Sequence, residues 1–131
     1  MKNKLIRTSP SNVTAVGNYS HVTIIPKNAQ FYTFSGQIGT EESGDLPEDY
    51  TQQIENTFKN IKKLLISQSL TPDDVIKVNI WAIEEIDWDN VFDPLWEEFF
   101  GENYPSMTVA YISALGLPEI KIEIEIWAAK A

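Results

Sequence analysis

The sequence predicts an α+β fold in which two helices cover one face of a mixed sheet of about six strands. Residues 75–82 and 120–128 alternate apolar and polar side chains, which is the period of a strand with two different faces. Residues 50–68 instead repeat apolar side chains at helical spacing, and residues 88–100 have a wide apolar side. Because two helices cover only one face of such a sheet, the other face must meet water, a ligand or another chain.

Composition limits the class of protein. The 131 residues fit one domain, 1–131, which is long enough to bury a core without disulfides or metals. The chain has no cysteine, which excludes disulfides, thiolate zinc sites and a cysteine nucleophile, and we predict no cofactor and no metal. No stretch is apolar enough to span a bilayer, and the basic segment from Met1 to Arg7 lacks the apolar run of a targeting signal. We therefore expect a cytoplasmic protein with no membrane partner.

The charge of the chain argues against nucleic acid as a partner. The formal net charge is −9, whereas binding to a phosphate backbone needs a basic surface. The one basic cluster, Lys59, Lys62 and Lys63, falls on the polar side of the first helix, where runs of charge are usually solvated.

The N-terminal third of the chain has short strands. Residues 4–8 are predicted to form an edge strand, and residues 22–25 and 30–35 form two strands joined as a hairpin through residues 26–29. Ser35 and Gly36 follow the third strand, where a glycine permits close backbone approach. This point either borders a pocket or is a plain exit from the strand.

The first helix is preceded by an acidic loop. Asp45 and Glu48 flank Pro47 in the pattern of a capping box, which predicts the helix start. The apolar stripe continues to about Gln68, and Pro72 prevents further helix.

The second helix contains a proline inside its apolar pattern. Pro94 is costly in a helix interior but favoured just after an N-cap, so we expect a break or restart at Asp93 with its carboxylate as the cap. Two final strands, about 107–112 and 120–128, complete the chain.

The uncovered sheet face has too many aromatic side chains to be left exposed to water and too many charged ones to be buried in the core of a single subunit. Its predicted side chains are those of Lys77, Asn79, Trp81, Glu123, Glu125 and Trp127. A homo-oligomer that packs these faces together would bury them, and pockets would form where subunits meet.

Several short motifs occur in a distinctive order and spacing along nearly the whole chain. They are Gly17-Asn18-Tyr19, Ser35-Gly36-Gln37-Ile38, Trp96-Glu97-Glu98-Phe99-Phe100, Pro105-Ser106-Met107-Thr108 and Leu117-Pro118 before Ile122-Glu123-Ile124-Glu125-Ile126. In these motifs the sequence resembles the Rid family, the YjgF-like reactive-intermediate deaminases also labelled L-PSP endoribonucleases. The resemblance implies a chorismate-mutase-like subunit assembled as a homotrimer, with three small-molecule clefts between subunits.

The resemblance also implies a difference in chemistry. Deaminating members hydrolyse enamines and imines to 2-keto acids and ammonia, and an arginine two positions after the proline binds the substrate carboxylate through two hydrogen bonds. Met107 occupies that position here, so the usual carboxylate anchor is missing. Neither Arg7, the only arginine, nor Lys77 or Lys121 is expected to replace it. Met107 is either an apolar wall of an altered cleft or interface packing.

The resemblance assigns further residues to the cleft. Glu123 matches the glutamate that positions or activates the attacking water. Without the arginine, we favour the alternative that Glu123 is a polar partner in a subunit interface. Tyr19 matches a tyrosine that orients substrate, or it is a packing residue. Asp93 stands where deaminating members commonly carry asparagine, and its carboxylate would repel an anionic substrate. The predicted cleft residues are Met107, Asp93, Ser35, Gly36 and Val109.

Three functions are consistent with these observations. The first is a metabolite-binding or regulatory trimer without the usual 2-aminoacrylate deaminase activity. The second is an enamine or imine hydrolase for a different, uncharged substrate. The third, an endoribonuclease, follows only from the family's older label and conflicts with the acidic charge and single histidine.

Overall fold

A computed structural model describes residues 4–131, so the first three residues of the basic N-terminal segment lie outside the described part of the chain. Six strands and two helices follow one another in the predicted order. They are β1 (Ile6–Thr8), β2 (Val22–Ile24), β3 (Gln30–Thr33), α1 (Tyr50–Ser67), β4 (Val75–Ala82), α2 (Asp93–Phe100), β5 (Ser106–Tyr111) and β6 (Ile122–Lys130). The α+β class with two helices is confirmed. Between residues 4 and 131 no helix combines the length and apolarity needed to cross a bilayer.

The six strands are divided between two sheets. The main sheet has four strands in the order β3-β6-β4-β5, in which only β4 and β5 are parallel, and β1 pairs with β2 in a separate two-stranded sheet. The predicted hairpin of residues 22–35 is therefore wrong. The turn at Pro26, whose carbonyl accepts from Ala29 N–H at 3.1 Å, carries the chain from one sheet to the other. β3 pairs instead with β6, which has nine residues and therefore offers a longer strand edge than the three-residue β2.

The core lies between the main sheet and the two helices. Ile80, Ile122 and Ile124 point from the sheet and are at most 1% exposed, and they belong to one cluster with residues of α1 and α2. The strict alternation of β4 and β6 thus places one face against the helices, as predicted.

Helix α1 begins at a different cap from the one predicted. Asp49 is the N-cap, and its carboxylate accepts a hydrogen bond from Gln52 N–H at 2.8 Å. Asp45 instead belongs to a turn of the preceding loop, where its carbonyl accepts from Glu41 N–H and its carboxylate contacts Ser43. The capping-box interpretation of Asp45 and Glu48 is therefore wrong, although the helix ends close to the expected residue.

Helix α2 is preceded by a π-helical turn, Trp88–Phe92, that runs directly into it. The cap of this turn is Asp87, whose carboxylate accepts from Asn90 N–H at 3.2 Å. Asp93 marks the change to α-helix, but it has helical angles, φ −59° and ψ −42°, so it is not an N-cap. The chain is already helical before Asp93, and this leaves the carboxylate of that residue free of the capping role.

Polar side chains of α1 hold the segment that follows β3. Asn56 Nδ2 donates to the Gly39 carbonyl at 3.1 Å, and Asn60 Nδ2 donates to the carbonyls of Ile38 and Thr40. Gly39 is buried so closely against α1 that a Cβ there would lie 2.6 Å from the Cα of Gln53.

We predict that Gly39→Ala lowers the free energy of unfolding by about 1–3 kcal/mol, the usual cost of overpacking a rigid contact. The added methyl group meets backbone atoms of α1, which cannot move away as a flexible side chain would. Urea denaturation measures the change. Gly116→Ala is the matched control, because a Cβ at Gly116 meets nothing within 4 Å. Equal stability of both variants would contradict the close packing of Gly39.

Candidate functional site

A cavity of about 570 Å³ opens at the edge of the main sheet formed by β5. The residues around it are Val16, Gly17, Asn18, Tyr19, Trp88, Asp89, Phe92, Asp93, Trp96, Met107, Val109 and Tyr111. They come from three parts of the chain: the loop before β2, the π-helical turn with α2, and β5. The volume lies in the range of natural small-molecule sites.

The loop of residues 16–19 is fixed to α2 by hydrogen bonds. Trp96 Nε1 donates to the Asn18 carbonyl at 2.7 Å, and Asn18 Nδ2 donates to Glu97 Oε1 at 3.1 Å. Tyr19 closes the loop on itself, because its hydroxyl oxygen accepts from Val16 N–H at 3.1 Å. The buried indole of Trp96 therefore positions one wall of the cavity.

The opposite wall is the face of β5 that looks toward the helices. Met107 pairs with Val78, and Val109 pairs with Ile80, so both side chains share the helix-facing side of the sheet. Tyr111 follows on the same face, and its hydroxyl oxygen accepts from Ile86 N–H at 3.0 Å. The structure thus places a thioether, an aliphatic group and a phenol side by side along this wall.

The cavity carries negative charge at the side formed by the helix. Asp89 and Asp93 lie one helical turn apart, and Glu97 follows at the next turn. Partial burial, with the nearby charges of Glu97 and Asp89, raises the pKa of the Asp93 carboxyl above its usual value. No lysine, arginine or histidine borders the cavity in residues 4–131.

The three cations considered as substitutes for the missing arginine are engaged elsewhere. Arg7 donates through Nη2 to the carbonyls of Asp73 and Val75, at 2.7 and 3.0 Å, and its burial lowers the pKa of the guanidinium. Lys77 donates to Thr108 Oγ1 at 2.7 Å on the sheet face that the helices leave uncovered.

Lys121 forms an ion pair with Glu84 at 3.5 Å. Accordingly, none of these three side chains contributes to the wall that contains Met107.

Glu123 lies on the other face of the sheet from Met107. It pairs with Trp81, whose side chain points away from the helices, whereas Met107 pairs with Val78 on the helix side. Gly36 sits directly against Glu123, because a Cβ on that glycine would overlap the carboxylate. The half-buried Glu123 carboxylate has no hydrogen-bond or ion-pair partner among residues 4–131.

The predicted site residues thus form two groups within one subunit. Tyr19, Asp93, Met107 and Val109 border the cavity. Gly36 lies against Glu123, with Ser35 next to it in the chain, and we call these three residues the Glu123 group. The sheet separates the two groups, so a single subunit does not bring Glu123 to the cavity.

Sequence reasoning missed most of the aromatic lining. Trp88, Phe92, Trp96 and Tyr111 border the cavity, but aromatic residues at helical spacing ordinarily indicate a core. The repeated pair of an aromatic residue followed by aspartate, at Trp88-Asp89 and again four residues later at Phe92-Asp93, was the available signal. Such spacing puts both carboxylates on one side of the helical segment.

Comparisons with known proteins agree with this architecture. The family described as "Endoribonuclease L-PSP" matches residues 9–130. A RutC family protein from Buchnera aphidicola is 33% identical over 120 residues, covering 88% of this chain and 89% of its own. "Putative reactive intermediate deaminase TdcF" from Escherichia coli K12 is 26% identical over 101 residues, covering 74% of this chain and 77% of its own.

A solved structure with the same fold is that of the Rid protein YyfB from Yersinia pestis. It superimposes with a TM-score of 0.82 at 21% identity and covers 95% of this chain and 98% of its own. The motif order, the two-helix α+β subunit and these matches lead to one conclusion. The chain belongs to the endoribonuclease L-PSP family, that is, to the Rid or YjgF-like proteins.

Proposed function

We propose that the chain forms a homotrimer whose clefts bind a small metabolite, without the usual 2-aminoacrylate deaminase activity of its family. The observation that carries the proposal is the cavity with Met107 at the arginine position and no basic residue among its described lining. A 2-keto or 2-imino acid needs a cation for its carboxylate, and burying that carboxylate without one is costly. The proposed location is the cytoplasm.

The separation of the two groups of site residues supports assembly. A neighbouring copy could present its Glu123 group to the cavity, which one copy alone does not do. The uncovered sheet face also carries large exposed apolar side chains, since Phe31 is 65% exposed and Trp127 is 47% exposed. The strand pairing places both on that face, and exposed apolar groups of this size commonly mark interfaces between copies.

We predict a molar mass in solution of about three times the 14.9 kDa of the chain. Replacing two apolar groups by charges, in Phe31→Glu/Trp127→Glu, should lower the mass toward that of a single chain, because buried charges without partners are costly. Sedimentation equilibrium measures both. Ile66→Glu is the control, because Ile66 is 64% exposed on α1, away from this face. A monomeric natural protein, or an unchanged mass of the double variant, would contradict the assembly.

An alternative function in a different class is imine hydrolysis. The observation that favours it is the half-buried Glu123 carboxylate without a partner in the described chain, since a general base must be free to accept a proton from water. Water activated by Glu123 would add to the imine carbon, and the carbon–nitrogen bond would then break to give a carbonyl compound and an amine. The substrate would have to lack a carboxylate.

A ribonuclease function has the least support. Binding RNA needs cations that follow the phosphate backbone, and the cavity lining has none among the described residues. The net charge of −9 would in addition repel the RNA at low salt.

We predict that the natural protein does not accelerate 2-aminoacrylate hydrolysis and that Met107→Arg/Asp93→Asn does, by at least about tenfold, because the new guanidinium can bind the substrate carboxylate in two hydrogen bonds. Met107→Arg alone should gain less, since Asp93 would compete for the guanidinium. The assay measures pyruvate formed from 2-aminoacrylate generated in situ, with an enzyme-free reference.

The matched control is Met107→Gln/Asp93→Asn, which places a polar side chain about as long as methionine at the same position without the charge. Adding Glu123→Gln to the active variant should abolish the gain. Activity of the natural protein would show that another group binds the carboxylate. If the arginine variant folds but stays inactive, the cavity is not a form of the family's cleft.

A further inference from the structure

The cavity holds negative charge without a positive partner. Asp89 and Asp93 line the cavity, and Glu97, which lies outside the lining and accepts from Asn18 Nδ2, follows four residues later. The three carboxylates lie along one side of the helical segment and repel one another. The two ion pairs found among residues 4–131, Lys63 with Glu42 and Lys121 with Glu84, involve none of them. A cation in the cavity would relieve this repulsion.

The aromatic residues of the lining suit an organic ammonium cation. Trp88 comes from the helical side and is half-buried, and the ring of Phe92 lies behind it, with centroids 4.8 Å apart. Phe92 and Trp96 are 1% and 2% exposed, so they support this wall from within the core. Tyr19 and Tyr111 add phenol rings from the other two parts of the chain. The negative faces of such rings attract ammonium groups, and quaternary ammonium compounds in particular.

A metal ion fits this lining poorly. Among residues 4–131 no group of three or more histidine, cysteine, aspartate or glutamate side chains is placed to hold one. Two aspartates amid aromatic rings and Met107 instead provide charge attraction, π faces and a polarizable apolar contact. The volume of about 570 Å³ leaves room for an organic molecule.

We infer that the ligand of this cavity is an organic monocation, an ammonium or iminium group on an apolar body without a carboxylate. The inference rests on the proposed role of the cavity as a ligand cleft. It means that this chain has inverted the charge preference of the site: the arginine that would bind an anion is replaced by Met107, and Asp93 supplies the opposite charge.

Three small probes of similar size test the inference by calorimetric titration of the natural protein: choline, its neutral isostere 3,3-dimethylbutan-1-ol, and the anion 2-oxobutanoate. Choline should bind at least about tenfold more tightly than the neutral isostere, as expected for a cation between aromatic faces and carboxylates. 2-Oxobutanoate should not bind measurably.

Single substitutions test whether choline binds in this cavity. Asp93→Asn and Trp88→Leu should each weaken choline binding by about five- to tenfold. Asp89 is exposed, so Asp89→Asn serves if Trp88→Leu fails to fold. Glu98→Gln is the matched control, because it removes the same charge from the same helix but faces the groove between α1 and α2. Its affinity for choline should equal that of the natural protein.

The outcomes separate this inference from the proposed function. Equal binding of choline and the neutral isostere, or an equal loss in Asp93→Asn and Glu98→Gln, would overturn the cation preference and leave a ligand cleft. Absence of choline binding would overturn it as well. If in that case Met107→Arg/Asp93→Asn binds 2-oxobutanoate, the cleft stands; if that variant also binds no probe, both the inference and the proposed function fail.

Discussion

The alternation of side chains along β4, β5 and β6 is the constraint on which the site depends. In this register Met107 and Val109 share the helix-facing side with Val78 and Ile80. Glu123 shares the other side with Trp81. Because the period of a strand is two, a shift of one residue would exchange the two faces completely. The groups that the family resemblance assigns to one cleft are therefore held on opposite sides of the sheet.

This separation links the fold to assembly. A chain that buried both faces of its sheet internally would need a layer on each face, but its two helices cover only one face. The uncovered face combines the Asn79–Glu125 hydrogen bond, at 2.9 Å, with exposed aromatic groups, and it carries the free carboxylate of Glu123. Packing against another copy would bury the aromatic groups and would bring a Glu123 carboxylate to the cavity.

The shape of the cavity depends on a hydrogen bond between the loop of residues 16–19 and helix α2. Trp96 Nε1 donates to the Asn18 carbonyl at 2.7 Å, and a π-helical turn runs directly into α2. Trp88, Asp89 and Phe92 of this turn border the cavity. π-Helical turns are frequent at functional sites.

Local sequence patterns predicted most of the helices and strands, but they did not predict which distant residues contact one another. The bounds of β4 match the alternation of residues 75–82, because burial on one face imposes that period. The predicted hairpin of residues 22–35 failed because the partner of β3 lies in β6, 94 to 100 residues further along the chain. The cap assigned to Asp93 failed for a local reason, because the helical segment already begins after Asp87 with a π-helical turn.

The sequence likewise predicted part of the candidate site but not all of it. Tyr19, Met107, Asp93 and Val109 came from the family resemblance and border one cavity, but the resemblance alone did not show that the sheet separates them from Glu123 within one subunit. The aromatic lining was hidden because Trp88 and Phe92 also fulfil the pattern of a core helix.

Cross-linking between engineered cysteines tests most directly the claim that the site is shared between copies. The chain has no cysteine of its own, so Met107→Cys and Glu123→Cys each introduce a single reactive group. The two variants are refolded together and treated with a short bismaleimide, and the products are separated under denaturing conditions. The account predicts a covalent dimer from the mixture and none from either variant alone. Absence of the dimer from the mixture, or equal dimer from each variant alone, would contradict it.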